Sequence, residues 1–302
     1  MRLMKTFDPS KLDPRQRSQF VLGTIGPRPI AFVSTLDREG RPNLAPYSFF
    51  NVFSSTPPVL IFSANSRVRD GKPKDTLQNI RETGELVINL VTYSMARQMA
   101  LAGLDYEQGV NEFEKSGFTP LVSERVKPYR VKESPVHFEC KILEIKALGD
   151  HPGAANLIIA EAVLIHLDER IIGPEQKIIP EAMELIGRLG GYSYARVDAS
   201  SLFEVVQPRS ELALGFDALP ESVRKSSILS GQDLALLAGQ TQWPSQEEVE
   251  AFAKQSAMAG FLISLPEEPE ARTKTIHKKI RALLKQETPG EALKLIAACG
   301  LR

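Results

Sequence analysis

Cysteine is nearly absent from this chain of 302 residues. Cys140 and Cys299 are too few for a disulfide framework and read as buried thiols of a reducing compartment. Net charge is absent too, since 37 lysines and arginines balance 37 aspartates and glutamates. Without a positive field, the electrostatic footprint of a nucleic-acid binder is missing. That disfavours nucleic acid and anionic membrane as partners, although a local basic pocket stays open. Long apolar runs are lacking as well. The most apolar stretch, Leu157 to Leu167, carries Glu161 and His166 and is too short to span a bilayer. The opening segment MRLMKTFDPSKLDPRQRS has no apolar core of the signal-peptide kind. The expectation is a soluble, cytosolic protein.

Familiar catalytic signatures are also missing. No Gly-x-Ser-x-Gly, Cys-x-x-Cys, Walker A or Gly-x-Gly-x-x-Gly stands in a suitable setting. A nicotinamide, if used, must therefore dock without a Rossmann domain. His137, His151, His166 and His277 are scattered. His166-Leu-Asp168 is the one near metal-like spacing, on a strand where alternate residues share a face, but two ligands do not make a site. Ordinary surface or core histidines explain all four, and no metal is expected.

What the chain does contain is a β-rich first two thirds. Residues 29–35 (PIAFVST) form a β-branched run, 37–40 (DREG) a turn, and 43–50 (NLAPYSFF) the returning strand of a hairpin. Pro57 and Pro58 introduce a third strand, 59–63, as proline can at a strand start. Residues 75–84 read as a helix with Asp75 at the N-cap and Gly84 at the C-cap. Strand-like runs follow at 86–91, 136–148 and 156–167, with a long polar connection over 103–133 of the kind that often covers a site. From about Ser210 helix-like segments take over, near 230–238, 245–259, 267–286 and 289–298. No catalytic constellation stands in that part.

Polar residues cluster where apolar strands end. Ser34 and Thr35 close the first strand; Ser63, Asn65 and Arg67 follow the third; Lys74, Asp75 and Thr76 open the helix. Hydroxyls, amides, the cations Arg67, Arg69, Lys72 and Lys74, and a helix N-terminus are what a phosphomonoester needs. The same residues also fit a solvated loop feeding a capped helix. Ala45, Pro46, Tyr47 and Ser48 lie on an extended segment whose small residues would let a planar ring approach, and proline holds it extended. On the residues alone, a half-buried strand with aromatics in the core is the favoured reading of this segment.

These segments resemble one family. Residues 27–35 (PRPIAFVST), 43–51 (NLAPYSFFN), 63–67 (SANSR) and 74–79 (KDTLQN), in that order and at matching intervals, look like the successive motifs of the flavin reductase-like, FMN-binding split-barrel family. Arg188-Leu-Gly-Gly191, with Tyr192 and Tyr194, is similar to its closing motif. The likeness implies a mainly β fold with α: a six-stranded Greek-key split barrel over residues 8–206, dimeric, with FMN near the subunit interface. Residues 207–302 would then be a helical extension that the family usually lacks. Ser34, Thr35, Ser63 to Arg67 and Lys74 to Thr76 would serve the phosphate, Ala45 to Ser48 the flavin ring, and Arg188, Gly190 and Gly191 would approach from the barrel's end. The implied activity is NAD(P)H-dependent flavin reduction, supplying a partner monooxygenase or a small acceptor, with binding residues rather than a catalytic histidine or aspartate. A non-enzymatic FMN carrier, sensor or adaptor is the alternative.

Overall fold

The computed structural model describes residues 3–67, 71, 73–205 and 211–301, so Arg69, Lys72 and the expected boundary at 206/207 lie outside the described residues. The chain divides into two compact units, Met1–Phe203 and Glu204–Arg302.

The first unit opens with a helix, α1 (Pro14–Thr24), capped by Asp13, whose carboxylate accepts the Gln16 N–H at 2.9 Å. Its main body is one antiparallel sheet built from β1 (Ala31–Leu36), β2 (Pro42–Tyr47), β3 (Phe50–Ser55), β4 (Pro58–Ser63), β5 (Glu85–Leu90) and two long strands. Between β4 and β5 lies α2 (Asp75–Thr83); after β5 come α3 (Ala96–Ala102), α4 (Glu112–Ser116) and a small hairpin, β6 (Pro120–Leu121) with β7 (Arg130–Val131). The long strands are β8 (Val136–Ala147) and β9 (Asn156–Leu167), and a second hairpin, β10 (Ile186–Arg188) with β11 (Tyr194–Arg196), follows. The strand order is β2-β1-β5-β8-β9-β4-β3, seven strands rather than the expected six. The extra strand arises inside the segment expected to be one run. The chain bends at Ser48–Phe49, so residues 42–47 and 50–55 go to opposite edges of the sheet. Among the described residues no ladder joins β2 to β3, so hydrogen bonding does not close the sheet into a complete barrel.

Alternation along β1 sorts its side chains between two cores. Ala31 and Val33 pack with Leu77 and Ile80 of α2 and with Leu86, Ile88 and Ile158. Phe32 packs the other way, with Leu44, Met99, Phe113 and Phe118. Covered on both sides, β1 is buried almost throughout. Gly84 ends α2 at φ 69°, a left-handed conformation that glycine adopts without a Cβ penalty. At the other end Lys74, not Asp75, holds the N-cap position and makes no capping bond; Asp75 is the first helical residue.

The second unit is helical: α5 (Glu221–Arg224), α6 (Gly231–Ala238), α7 (Gln246–Ala253), α8 (Ser256–Ile263), α9 (Pro269–Lys285) and α10 (Pro289–Ala298). Reciprocal caps Ser230–Asp233 and Ser245–Glu248 start α6 and α7. The single helix expected over 245–259 breaks at Gln255, whose backbone is extended. Phe252 and Met258 lie six positions apart, far from one helical stripe, and the break lets both enter the core formed by Val223, Leu237, Ile280 and Leu295.

Candidate functional site

β2 is an edge strand, and the candidate site lies on its free side. The Leu44 N–H points away from β1 and is taken by Glu112 Oε2 at 3.0 Å. Alternation gives Pro46 the same outward direction, where proline has no N–H to leave unpaired. Against this edge stand the start of α2, the segment before it and the 102–106 turn. Together they enclose a notch of about 50 Å³. Its inner part has room for a few water molecules, and the notch is open to solvent on its outer side. Gly103 fits closely here: a Cβ on it would meet Pro46 Cγ at 3.1 Å.

The polar frame behind the notch is tied together by amides. Asn43 Nδ2 donates to Thr76 Oγ1 at 2.8 Å and to Thr35 Oγ1 at 3.2 Å, and Asn79 Nδ2 donates to the same Thr35 oxygen at 3.0 Å. Thr35 is thus a buried brace for Asn43 and Asn79, while Thr76 reaches the wall. Arg67 Nη2 lies 3.5 Å from Asp75 Oδ1 and its Nε 3.7 Å from Asp105. That Nε is buried and has no hydrogen-bond partner. Asp75 Oδ2 accepts the Gly109 N–H at 3.3 Å, fastening the 103–111 segment over the helix start. No side chain caps the first turn of α2.

Of the residues singled out in the sequence, Ala45, Pro46, Tyr47, Arg67, Lys74, Asp75 and Thr76 come together on this wall. The others do not line it. Ser34 faces the opposite side of β1 and gives its hydroxyl to the Tyr129 carbonyl. Ser48 sits in the bend between β2 and β3. Ser63 Oγ donates to Asn65 Oδ1 at 3.1 Å, and Asn65 Nδ2 reaches the Gly153 carbonyl at 3.4 Å, anchoring this segment to the β8–β9 turn. Arg188 belongs to the β10–β11 hairpin: its backbone pairs with Arg28, and its guanidinium donates to the Tyr194 hydroxyl at 2.7 Å and the Gly191 carbonyl at 2.9 Å. Gly190 and Gly191 form the turn of that hairpin.

Two ionisable groups on the wall are strongly displaced. Burial pushes the Tyr47 hydroxyl up to about 12, and the Glu112 and Asp75 carboxylates add to the rise. A hydrogen-bonding interaction with Thr76 opposes the rise, although its geometry falls outside that of a normal hydrogen bond. Glu112 is pushed up to about 7, chiefly by burial, against the opposing Leu44 N–H. Sequence reasoning passed over Glu112 because it stands in what reads as a loop. The available signal was Asn111-Glu-Phe: Asn111 caps α4, accepting the Phe113 N–H at 3.1 Å, and Phe113 is buried in the core.

The histidines serve elsewhere. His137 and His166 face each other across β8 and β9, and His166 Nε2 lies 2.7 Å from Glu139 Oε1. Glu139 also accepts the N–H groups of Glu124 at 2.9 Å, Arg125 at 2.6 Å and Val126 at 3.2 Å, binding the 123–131 segment to the sheet. Asp168 caps a short turn and pairs with Arg170. Among the described residues no three metal-type side chains gather, and no helix is long and apolar enough to cross a membrane.

Residues 24–176 match the flavin reductase like domain. A curated relative, an uncharacterised protein of Aquifex aeolicus, is 40% identical over 178 residues, 59% of this chain and 88% of its own. Among solved structures, nitrilotriacetate monooxygenase component B of Bacillus cereus is similar with a TM-score of 0.64 at 29% identity, over 68% of this chain and 100% of that one. A flavin reductase with split barrel domain from Shewanella frigidimarina has the same fold, with a TM-score of 0.57 at 24% identity, over 66% of this chain and 96% of its own.

Proposed function

We propose, on the premise that this chain belongs to the flavin reductase-like family, that residues 8–206 bind FMN and reduce it with NAD(P)H, residues 207–302 being an appended helical unit. When bound, FMN supplies the redox chemistry, accepting hydride and passing electrons to a small acceptor or a partner monooxygenase. The likeness to nitrilotriacetate monooxygenase component B supports the second route.

One observation carries the reading: the Tyr47 hydroxyl and Arg67 Nε are both buried on the wall of one notch, and neither makes a hydrogen bond of normal geometry. Thr76 is the neighbour of the first, and the Asp105 carboxylate, at 3.7 Å, that of the second. Buried donors are rarely left without a well-formed hydrogen bond, so a ligand oxygen in the notch would complete both. Lys74 adds a cation, and the uncapped turn of α2 adds free N–H groups that favour an anion. Thr76, held by Asn43, supplies a hydroxyl. This donor set fits a phosphate, the anionic end of FMN. Ala45 and Pro46 then give the ring a small, flat strand edge to lie on. The chain's task is placement, since near-attack positioning supplies much of the rate of a transfer whose chemistry belongs to the cofactor.

We assign the protein to the cytoplasm, as a homodimer. Exposed apolar side chains on β3 and β9, Phe53 and Ile165 among them, support such a contact. In that assembly Arg188, Gly190 and Gly191 lie near the flavin rather than in the phosphate notch. The test is spectroscopic. Protein loaded with FMN is mixed anaerobically with NADH or NADPH, and flavin absorbance should bleach within seconds. A yellow protein unresponsive to both would be a flavin carrier. Failure to take up FMN at millimolar excess overturns the reading.

A further inference from the structure

Glu112 is held on the notch wall by construction. Asn111 caps α4, Phe113 plugs the core beside Met99 and Phe118, and the residue between them is turned toward β2. There Oε2 takes the Leu44 N–H at 3.0 Å, and the side chain lines the same notch as Tyr47, with only 7% of the residue exposed. The other groups on this wall are mixed in sign. β2 brings the Tyr47 hydroxyl, the start of α2 brings Lys74 and Asp75, the preceding segment brings Arg67, and the turn after α3 brings Asp105 and Tyr106; α3 itself contributes Ala102. On α4, Glu114 and Lys115 are exposed. Arg67 pairs with Asp75 and Asp105, and among the described residues no cation pairs with Glu112. A carboxylate there would sit unpaired beside Asp75 and face any incoming anion.

We propose that Glu112 is a ligand-binding residue that works in its neutral form: its carboxyl proton, together with the Tyr47 hydroxyl, donates to the anionic end of the ligand. This rests on the flavin reading above, in which that end is the phosphate of FMN. The free carboxyl already titrates at about 7. A phosphate beside it raises that value further, because the ionised form would meet like charge. Binding above neutrality therefore takes up a proton from solvent, and affinity falls as pH rises.

Calorimetry on the full chain, with FMN as the probe, tests this near pH 8, where the phosphate (second pKa about 6) is fully ionised. Two buffers of different ionisation enthalpy report the proton count. We expect uptake approaching one proton per FMN, with wild-type affinity falling up to about tenfold per pH unit above 7. Glu112→Gln, which mimics the neutral carboxyl, should bind FMN with no uptake and little pH dependence; Glu114→Gln should behave as wild type. FMN binding by the wild type without proton exchange overturns the proposal, a result that needs no variant to fold. Equal uptake in Glu112→Gln overturns it too. Absence of FMN binding at any pH sinks the flavin reading itself, and this proposal with it.

Discussion

At the scale of single residues, the site separates groups that touch a ligand from groups that brace them. Lys74 is exposed and makes no capping bond, so Lys74→Ala should leave stability unchanged. If it holds a phosphate oxygen, FMN affinity should drop by roughly 1.5–3 kcal/mol, the worth of a hydrogen bond to a charged group. An unchanged dissociation constant would remove Lys74 from the site. Two buried groups should oppose each other in the pH dependence of stability. His137 Nδ1 lies 2.8 Å from Asn89 Oδ1, whose amide also donates to the Phe32 carbonyl at 2.9 Å, so that nitrogen carries the proton. Burial, with Arg130 and His166 nearby, pushes His137 down to about 4. The unfolded chain then binds more protons at this residue between pH 4 and about 6.5, and stability falls as pH falls through that window. Glu112 has the opposite sign: its folded value of about 7 lies above the unfolded one, so its contribution grows as pH falls from 7 toward about 4.5. Between pH 4.5 and 6.5, His137→Gln should therefore gain stability on acidification and Glu112→Gln should lose it. Each slope is bounded by about 1.4 kcal/mol per pH unit. Urea midpoints across the window measure both, and parallel curves would refute the assignment.

At the scale of elements, α2 and the edge strand β2 place the wall, and two glycines separate their contributions. Gly84 sits at φ 69° with open space where a Cβ would go. Gly84→Ala should cost about 1–2 kcal/mol by backbone strain alone and leave FMN binding unaffected. Gly103 has an ordinary backbone, but its Cβ would press on Pro46 Cγ. Gly103→Ala should weaken FMN binding more than it lowers the urea midpoint, and the reverse order would place Pro46 away from the ligand. The strands and α2 were legible in the sequence because β-branched runs, turn residues and Gly84 act locally. The seventh strand was not, because nothing in Tyr47-Ser-Phe-Phe marks the bend: only pairing of residues 50–55 with β4 decides it. The site divides the same way. Arg67, Lys74 and Thr76 announce themselves by type beside a helix start, whereas Glu112 reaches β2 from 68 positions away, and its displaced titration comes from burial. Ser34 was misleading for a related reason. Side chains alternate along β1, so Ser34 and Thr35 face opposite sides, and only Thr35 backs the notch.

At the scale of the whole molecule, each of the two units has its own hydrophobic interior, the first with cores on both sides of β1 and the second with one. In the second unit, Val223, Leu237, Ile280, Ala292, Leu295 and Ile296 are completely buried among residues of that unit. Its helices carry their own start signals in the caps of Ser230, Ser245 and Glu268. A unit of about 100 residues with its own core and local caps is large enough to fold alone with several kcal/mol of stability. Every residue lining the notch, in turn, lies in the first unit. Residues 204–302 expressed alone should give a helical circular dichroism spectrum and a single sigmoidal urea transition. Residues 1–203 should keep FMN affinity within about threefold of the full chain, a change of less than about 1 kcal/mol. A tenfold loss in the shorter chain would mean that the helical unit supplies part of the binding energy, and the site as drawn from the first unit would then be incomplete.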